Sequence, residues 1–382
     1  MKQIRISRSF AAAAICLLLL AGCAPPVEEP VVTEVKPEKP VITKVEPEEQ
    51  IPEVPAKQAV AAPAEEPVMP EVEPEKEVPK PPEGEAITLE LKFTPQDSTT
   101  YKVITEGQRS VQFEGDLAKD TALKGGQTGN KVEMVFTQQI QSVDDKGNAV
   151  AKITIKGLKY LAKVKDDTVL DFDSSREENQ NNPLAKLIGQ SYTIEITPAG
   201  QVAAVIDVKE AQAAVRGSTS AHKRALALLE SEAIKERHTI STLAVADKSQ
   251  LHAGDTWSSI KDFSFGLMGA RSYEKIYTLK EVKDIDGRQV AIVEMNAIPT
   301  SETAEQLHKE QQTSDFSNMF DSTQGYTGQL KLDLTNSKVE KYLEKLQLEW
   351  IIVDPSAEQK GDTEPDTLKM AATRLYSLEK ID

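Results

Sequence analysis

Cysteine is almost missing from this chain. There are two in 382 residues, Cys16 and Cys23, too few for a disulfide scaffold or a four-thiolate zinc site. Aromatic residues make up 5% and histidines number four, which leaves little material for a histidine-based metal centre. No P-loop, G-x-G-x-x-G or G-x-S-x-G occurs, so nucleotide, dinucleotide and α/β-hydrolase readings have no support. Positive charge is also in deficit, with 45 Lys and Arg against 61 Asp and Glu. The net charge of −16 and pI near 4.9 argue against nucleic acid, which wants a basic face to release counterions. The longest apolar run, Phe10 to Ala21, holds 12 residues, short of the roughly 20 a membrane span needs.

That run has a different use. Lys2, Arg5 and Arg8 precede it and Leu20-Ala21-Gly22-Cys23 closes it, the layout of a secretory signal ending in a box that resembles the bacterial lipobox. The resemblance implies a signal peptide over residues 1–22, cleavage between Gly22 and Cys23, and acylation of Cys23. Acyl chains contribute about 0.8 kcal/mol per buried CH₂, so the expectation is a lipid-anchored lipoprotein of the bacterial cell envelope. Ala24 follows the cysteine where a retention signal would place Asp, which favours the periplasmic face of the outer membrane over the inner membrane.

Residues 23–86 read as a disordered Pro/Glu-rich linker. Positions 24–85 hold 15 of the 21 prolines, 16 glutamates against 6 lysines, and no aromatic residue. Such a composition cannot bury enough apolar surface to offset its ordering entropy. In polyproline II, 62 residues would reach roughly 190 Å at ~3.1 Å each.

Residues 87–382 change character and predict an α+β domain: two similar antiparallel β-rich halves, about 87–206 and 250–353, forming a curved, half-barrel-like sheet, with a helical segment at about 207–245. Period-two alternation marks strands at Ile87–Phe93, Val132–Ile140, Val150–Leu161, Tyr192–Ile196, Ile276–Val282 and Gln289–Met295. Asp144–Asn148 and Asp284–Gly287 carry hairpin-turn chemistry. Setting Gly147 against Gly287 aligns Val150 with Val290 and Ile153 with Val293, and Thr193–Thr197 resembles Leu330–Thr335, the pattern of an internal duplication. Ala225, Leu226, Leu229, Ala233 and Ile234 form one helical stripe, and a weaker helix is expected after Ser301. Residues 114–130 and 311–328, rich in Gly, Gln, Ser and Thr, read as loops, and Leu368–Leu378 as a last strand.

Several runs together carry a family resemblance: Phe172-Asp-Ser174, Asn182–Gly189, Tyr192–Gly200 with Val202, Leu251–Trp257 and Tyr277–Val282. They resemble an uncharacterised family of bacterial secreted proteins and lipoproteins, the domain of unknown function numbered sixty-two sixty-three. The resemblance implies no activity and no site residues, since its motifs are turns and strand starts. A weaker likeness of architecture and location is to LolA/LolB and LppX-type half-barrels, which implies a lipid or lipoprotein cargo only by analogy.

Candidate chemistry is sparse. His222 and His238 lack an i+4 partner for a zinc helix and read as surface helix residues. Ser-x-x-Lys occurs four times, at Ser220, Ser258, Ser272 and Ser377, without companion motifs. Asp171, Asp173, Glu177 and Glu178 form an acidic cluster in a polar loop, where general acid–base work would lack the desolvation it needs. Trp257 and Trp350 read as core anchors. The expectation is therefore a non-enzymatic module with no catalytic, metal or cofactor residues, membrane-bound through Cys23, binding an apolar ligand such as a lipid, or an envelope protein partner. The alternative is a scaffolding protein that uses its tether to reach the cell wall or a complex.

Overall fold

The structure, a computed structural model, describes residues 86–115, 118, 125–243, 250–265, 270–300, 321–353 and 367–381. All belong to Lys80–Asp382, one of two units into which the chain divides. The predicted signal peptide with Gly22 and Cys23, the tether up to residue 85, the helix after Ser301 and the polar stretch 361–366 lie outside the described residues.

Alternating sequence becomes strand almost throughout. β1 (Ser98–Glu114), β2 (Gly126–Val143), β3 (Ala149–Val164), β4 (Asp167–Asp173), β5 (Ser191–Ile196) and β6 (Val202–Asp207) precede the middle segment. β7 (Thr256–Ser264), β8 (Ala270–Ile285), β9 (Arg288–Pro299), β10 (Asp321–Asp333), β11 (Lys338–Val353) and β12 (Thr367–Lys380) follow it. They join in one open antiparallel sheet ordered β6-β5-β3-β2-β1-β12-β11-β10-β9-β8-β7, with β4 beside the far half of β3. Thus β1, β2, β3, β5, β6 and β7, β8, β9, β10, β11 succeed one another in the same spatial order, and β12 lies between the two runs.

Turn chemistry sets the hairpins. The Asp144 carboxylate accepts from Lys146 N and Asn148 N, both at 2.8 Å, closing β2 onto β3. Asp284 accepts from Gly287 N at 2.9 Å in the β8–β9 turn, where Gly287 adopts φ +75°, cheap only for glycine. The burial of β3 alternates as its sequence does, with Ala149, Ala151, Ile153 and Ile155 fully covered. Of these, Ile153 and Ile155 each stabilise by about 1.5–3 kcal/mol relative to exposure.

The sheet is curved, and ring contacts measure the curvature. β7 and β12 are five strand steps apart, about 24 Å in a flat sheet at ~4.8 Å per step. Yet the Arg374 guanidinium on β12 lies 5.1 Å from the ring centre of Phe263 on β7. Phe265 meets Trp350 of β11 at 5.6 Å between centroids. Only a strongly curled second run allows this.

Between β6 and β7, the expected helical segment is three short helices, α1 (Lys209–Ala214), α2 (Ser220–Ala227) and α3 (Ser231–His238). Ala225, Leu229 and Ile234 of the predicted stripe are buried, while Leu226 is 38% exposed, because the break after Ala227 turns the stripe. Gly200, at φ +69°, docks the segment's end: its carbonyl accepts from Ile240 N at 2.7 Å, and a Cβ there would stand 3.0 Å from that of Ile240.

Two expectations are corrected. Ile87–Phe93 is no strand; it is extended and half-covered, tied by a single bridge between Ile87 and Leu251 and by Leu91 N to Pro198 O. Its alternation reflects contact on one side without a ladder partner. Residues 126–130 and 321–328, expected in loops, are the first turns of β2 and β10. Their polar and glycine composition fits strands whose cross-strand neighbours lie close: a Cβ on Gly129 would stand 2.3 Å from the Gly107 carbonyl.

Candidate functional site

The end of the middle segment lies inside the curve and is held there by two polar clusters. In the first, the Glu344 carboxylate on β11 accepts from Lys275 Nζ at 3.0 Å, from Tyr326 OH at 2.5 Å, from Ser241 Oγ at 3.0 Å and from Tyr342 OH. Lys275 Nζ also donates to Ser241 Oγ at 2.8 Å, and Ser241 lies 2.7 Å from Tyr342 OH. Tyr277 and Ser259 extend the cluster at 3.2 Å. Ser241, just past α3, is therefore wired to β8 and β11 at once.

Burial makes this cluster demanding. The Lys275 side chain is 3% exposed and that of Glu344 16%. Removing either partner would strand a buried charge. Burial pushes Glu344 up, but Lys275 and the Tyr326 and Tyr342 hydroxyls outweigh it and hold the carboxyl below its ordinary value. Burial likewise pulls Lys275 down, and Glu344 more than restores it, so its amine lies above its ordinary value. Burial and the neighbouring carboxylate raise Tyr326 and Tyr342. At neutral pH the cluster is an ammonium, a carboxylate and neutral phenols.

That protonation pattern decides the chemistry. Ser241 beside Lys275 resembles a nucleophile–base pair, yet an ammonium has no lone pair to take the serine proton. No histidine touches Ser241 among the described residues. The arrangement fixes position.

In the second cluster, Arg237 Nη1 donates to Tyr192 OH at 3.3 Å, and that hydroxyl lies 2.7 Å from His238 Nε2. Burial, then Arg237, hold His238 well below its ordinary value, so it is neutral. Its ring packs edge-on against Phe136 at 4.7 Å, and Tyr376 OH donates to the Arg237 carbonyl at 2.7 Å. Arg237 itself is buried and donates to the Leu228 carbonyl at 2.8 Å. The enclosed space beside His238 and Phe136 is about 50 Å³, room for a water or two.

His238 is thus corrected from surface to core; its place at the C-terminal end of α3 turns it under the sheet. His222 keeps a half-buried place, 2.7 Å from its N-cap partner Thr219. Trp350 is a core residue, 2% exposed, with an indole N–H that finds no acceptor. Trp257 is half-buried, stacked on Tyr277 and donating to Thr242 O at 3.1 Å. Asp171 stays exposed and pairs with Arg176, while Asp173 is half-buried and accepts from Ser175. Among the described residues no three His, Cys, Asp or Glu converge as metal ligands. The sequence reading missed Ser241, Lys275, Tyr326, Tyr342 and Glu344. The one trace was Lys275 in a Ser-x-x-Lys match, and its true serine partner lies 34 residues back.

Against known proteins, the family of unknown function DUF6263 matches residues 146–337. The chain belongs to that family. The matched DUF6263 stretch contains Tyr192, His238, Ser241, Lys275 and Tyr326; Tyr342, Glu344 and Tyr376 lie beyond it. No curated protein matches the chain. A solved structure titled "Lipid-protein interactions in lipovitellin" is similar at a TM-score of 0.38 and 10% identity, covering 76% of this chain and 26% of that one. The DUF6263 chain therefore spans about a quarter of the lipovitellin chain.

Replacing Lys275 with Met should leave the Glu344 carboxylate buried and unpaired, costing about 3–5 kcal/mol in urea unfolding. A loss under 1 kcal/mol would show that the pair does not anchor the segment. His238 gives a pH signature. Its folded pKa is depressed, so its contribution is full above the unfolded value near 6.5 and is lost as pH falls below it. Thermal unfolding of the wild type should weaken between about pH 7 and 5, and His238→Gln should flatten that slope.

Proposed function

We propose that this DUF6263 chain is a lipid-anchored lipoprotein of the bacterial envelope, at the outer membrane in preference to the inner, and that its curved sheet is a non-enzymatic binding module for an apolar ligand. The observation that carries the reading is the curl of β7–β12. It gathers Phe263, Phe265, Tyr273, Tyr326 and Trp350 into one buried aromatic cluster within the curl, and concave, mostly apolar and aromatic surroundings are where apolar ligands are held. The protonated state of Lys275 beside Ser241 supports a binding role over a catalytic one. The lipobox at Leu20–Cys23 and the Pro/Glu tether supply anchor and reach. The space left beside the middle segment is about 50 Å³, below the roughly 300 Å³ a drug-sized ligand needs.

Scaffolding is the second reading, and the sheet's outer strands favour it. β6 and β7 end the strand order, and Ile260 on β7 is 60% exposed. An unpaired apolar edge is a template for a partner strand.

Two measurements test these. Native mass spectrometry with organic extraction, on full chain purified gently from its own envelope, should find a reproducible bound lipid; a ligand-free chain that takes up none would overturn the ligand reading in favour of the edge. Cys23→Ala should accumulate as uncut precursor, whereas normal cleavage of that variant would refute the anchor.

A further inference from the structure

The central strands put two arginines side by side on the inner face of the sheet. Arg109 on β1 is opposite Ala372 of β12, and Arg374 is opposite Gly107, so the two arginines are diagonal neighbours on one face, within reach for long side chains. Both are exposed. Neither makes an ion pair among the described residues, although acidic groups exceed basic ones by 16 in this chain. The nearest carboxylate that acts on Arg374 is Glu236 of α3, and Arg109 opposes it.

Arg374 is held in place from the other side. Its guanidinium lies 5.1 Å from the Phe263 ring centre and 5.8 Å from that of Phe265, contacts that fix the plane of the fork and leave its N–H edges free to donate. Lys261 Nζ approaches the same Phe263 ring at 6.0 Å. Between the arginines the floor is low: Gly107 has no side chain, and a Cβ there would meet only the Asn130 amide oxygen at 3.7 Å. Two like charges a strand apart repel in the free protein. An oxyanion would relieve that repulsion and accept the fork hydrogen bonds. Phe265 ties this charged spot to the buried aromatic cluster through Trp350, whose indole N–H has no acceptor.

We propose that Arg109 and Arg374, with Lys261 at the rim, form an oxyanion site for the phosphate or carboxylate group of an amphiphilic ligand. The inference rests on the apolar-ligand reading and adds the sign and chemistry of the headgroup.

The test is calorimetric titration of the full chain with dihexanoyl phosphatidylglycerol, dihexanoylglycerol, which has no phosphate, and inorganic phosphate. The anionic lipid should bind at least tenfold tighter than the uncharged one. Arg109→Gln and Arg374→Gln should each erase most of that preference. Phosphate that binds as tightly as the anionic lipid, and is lost with the same variants, would retain the oxyanion site and assign it to a free anion. Equal binding of both lipids, untouched by the variants, would overturn the oxyanion site and leave the apolar-ligand reading standing. Binding of neither lipid, with no response to phosphate, would overturn both.

Discussion

The Glu344 carboxylate is the point through which the interior is organised. It takes hydrogen bonds from a lysine on β8, phenols on β10 and β11, and the serine that follows α3. Four segments far apart in sequence thus converge on one anion that water barely reaches. A buried carboxylate is costly unless each lone pair is met, and here the donors meet them. Because the donors sit on different elements, satisfying the charge requires the curl of the second run and the inward course of the middle segment together. An apolar plug could slide by a residue at little cost; this one has a single register.

The second cluster works by the opposite device. His238 is kept neutral and Arg237 charged, so the pair reads as one cation whose bonds go to a phenol and a backbone carbonyl. Tyr376 then reaches from β12 to the Arg237 carbonyl. The middle segment is thereby joined to β5 on one side and β12 on the other. The Glu344 cluster meets the buried aromatic group of the second run at Tyr326, while Arg109 and Arg374 stay exposed on the central strands.

Much of the sheet was legible because strands write themselves in period two. β3, β5, β8 and β9 showed both faces, and the Asp144 and Asp284 turns fixed where they reverse. Two kinds of feature were not legible. Ile87–Phe93 has a strand's alternation without a strand's partner, since one-sided contact produces the same pattern as a ladder. β2 and β10 begin in Gly, Gln and Thr because their neighbours approach closely, and that composition also describes loops. Beyond Lys275 in a Ser-x-x-Lys match, the polar clusters left no local trace. Most of their bonds join residues 18 to 139 positions apart, and a buried lysine is spelled like an exposed one. His238 was misread for the same reason: its burial comes from Tyr192 and Phe136, which only the folded sheet brings to it.

The place of β12 has a consequence for how the chain reaches this state. β12 hydrogen-bonds β1 along nearly its whole length, Tyr101 against Lys380 and Glu114 against Thr367, and β11 on its other side. The seam between the first and second runs is thus closed by a strand made long after β1. A chain that emerges from its amino end presents β1 long before its partner exists, and closing so distant a contact is slow. Through that interval two long edges stand open to any other extended segment. Biogenesis, more than the finished fold, is where this architecture is exposed, because the β1 edge stays open until β12 is made.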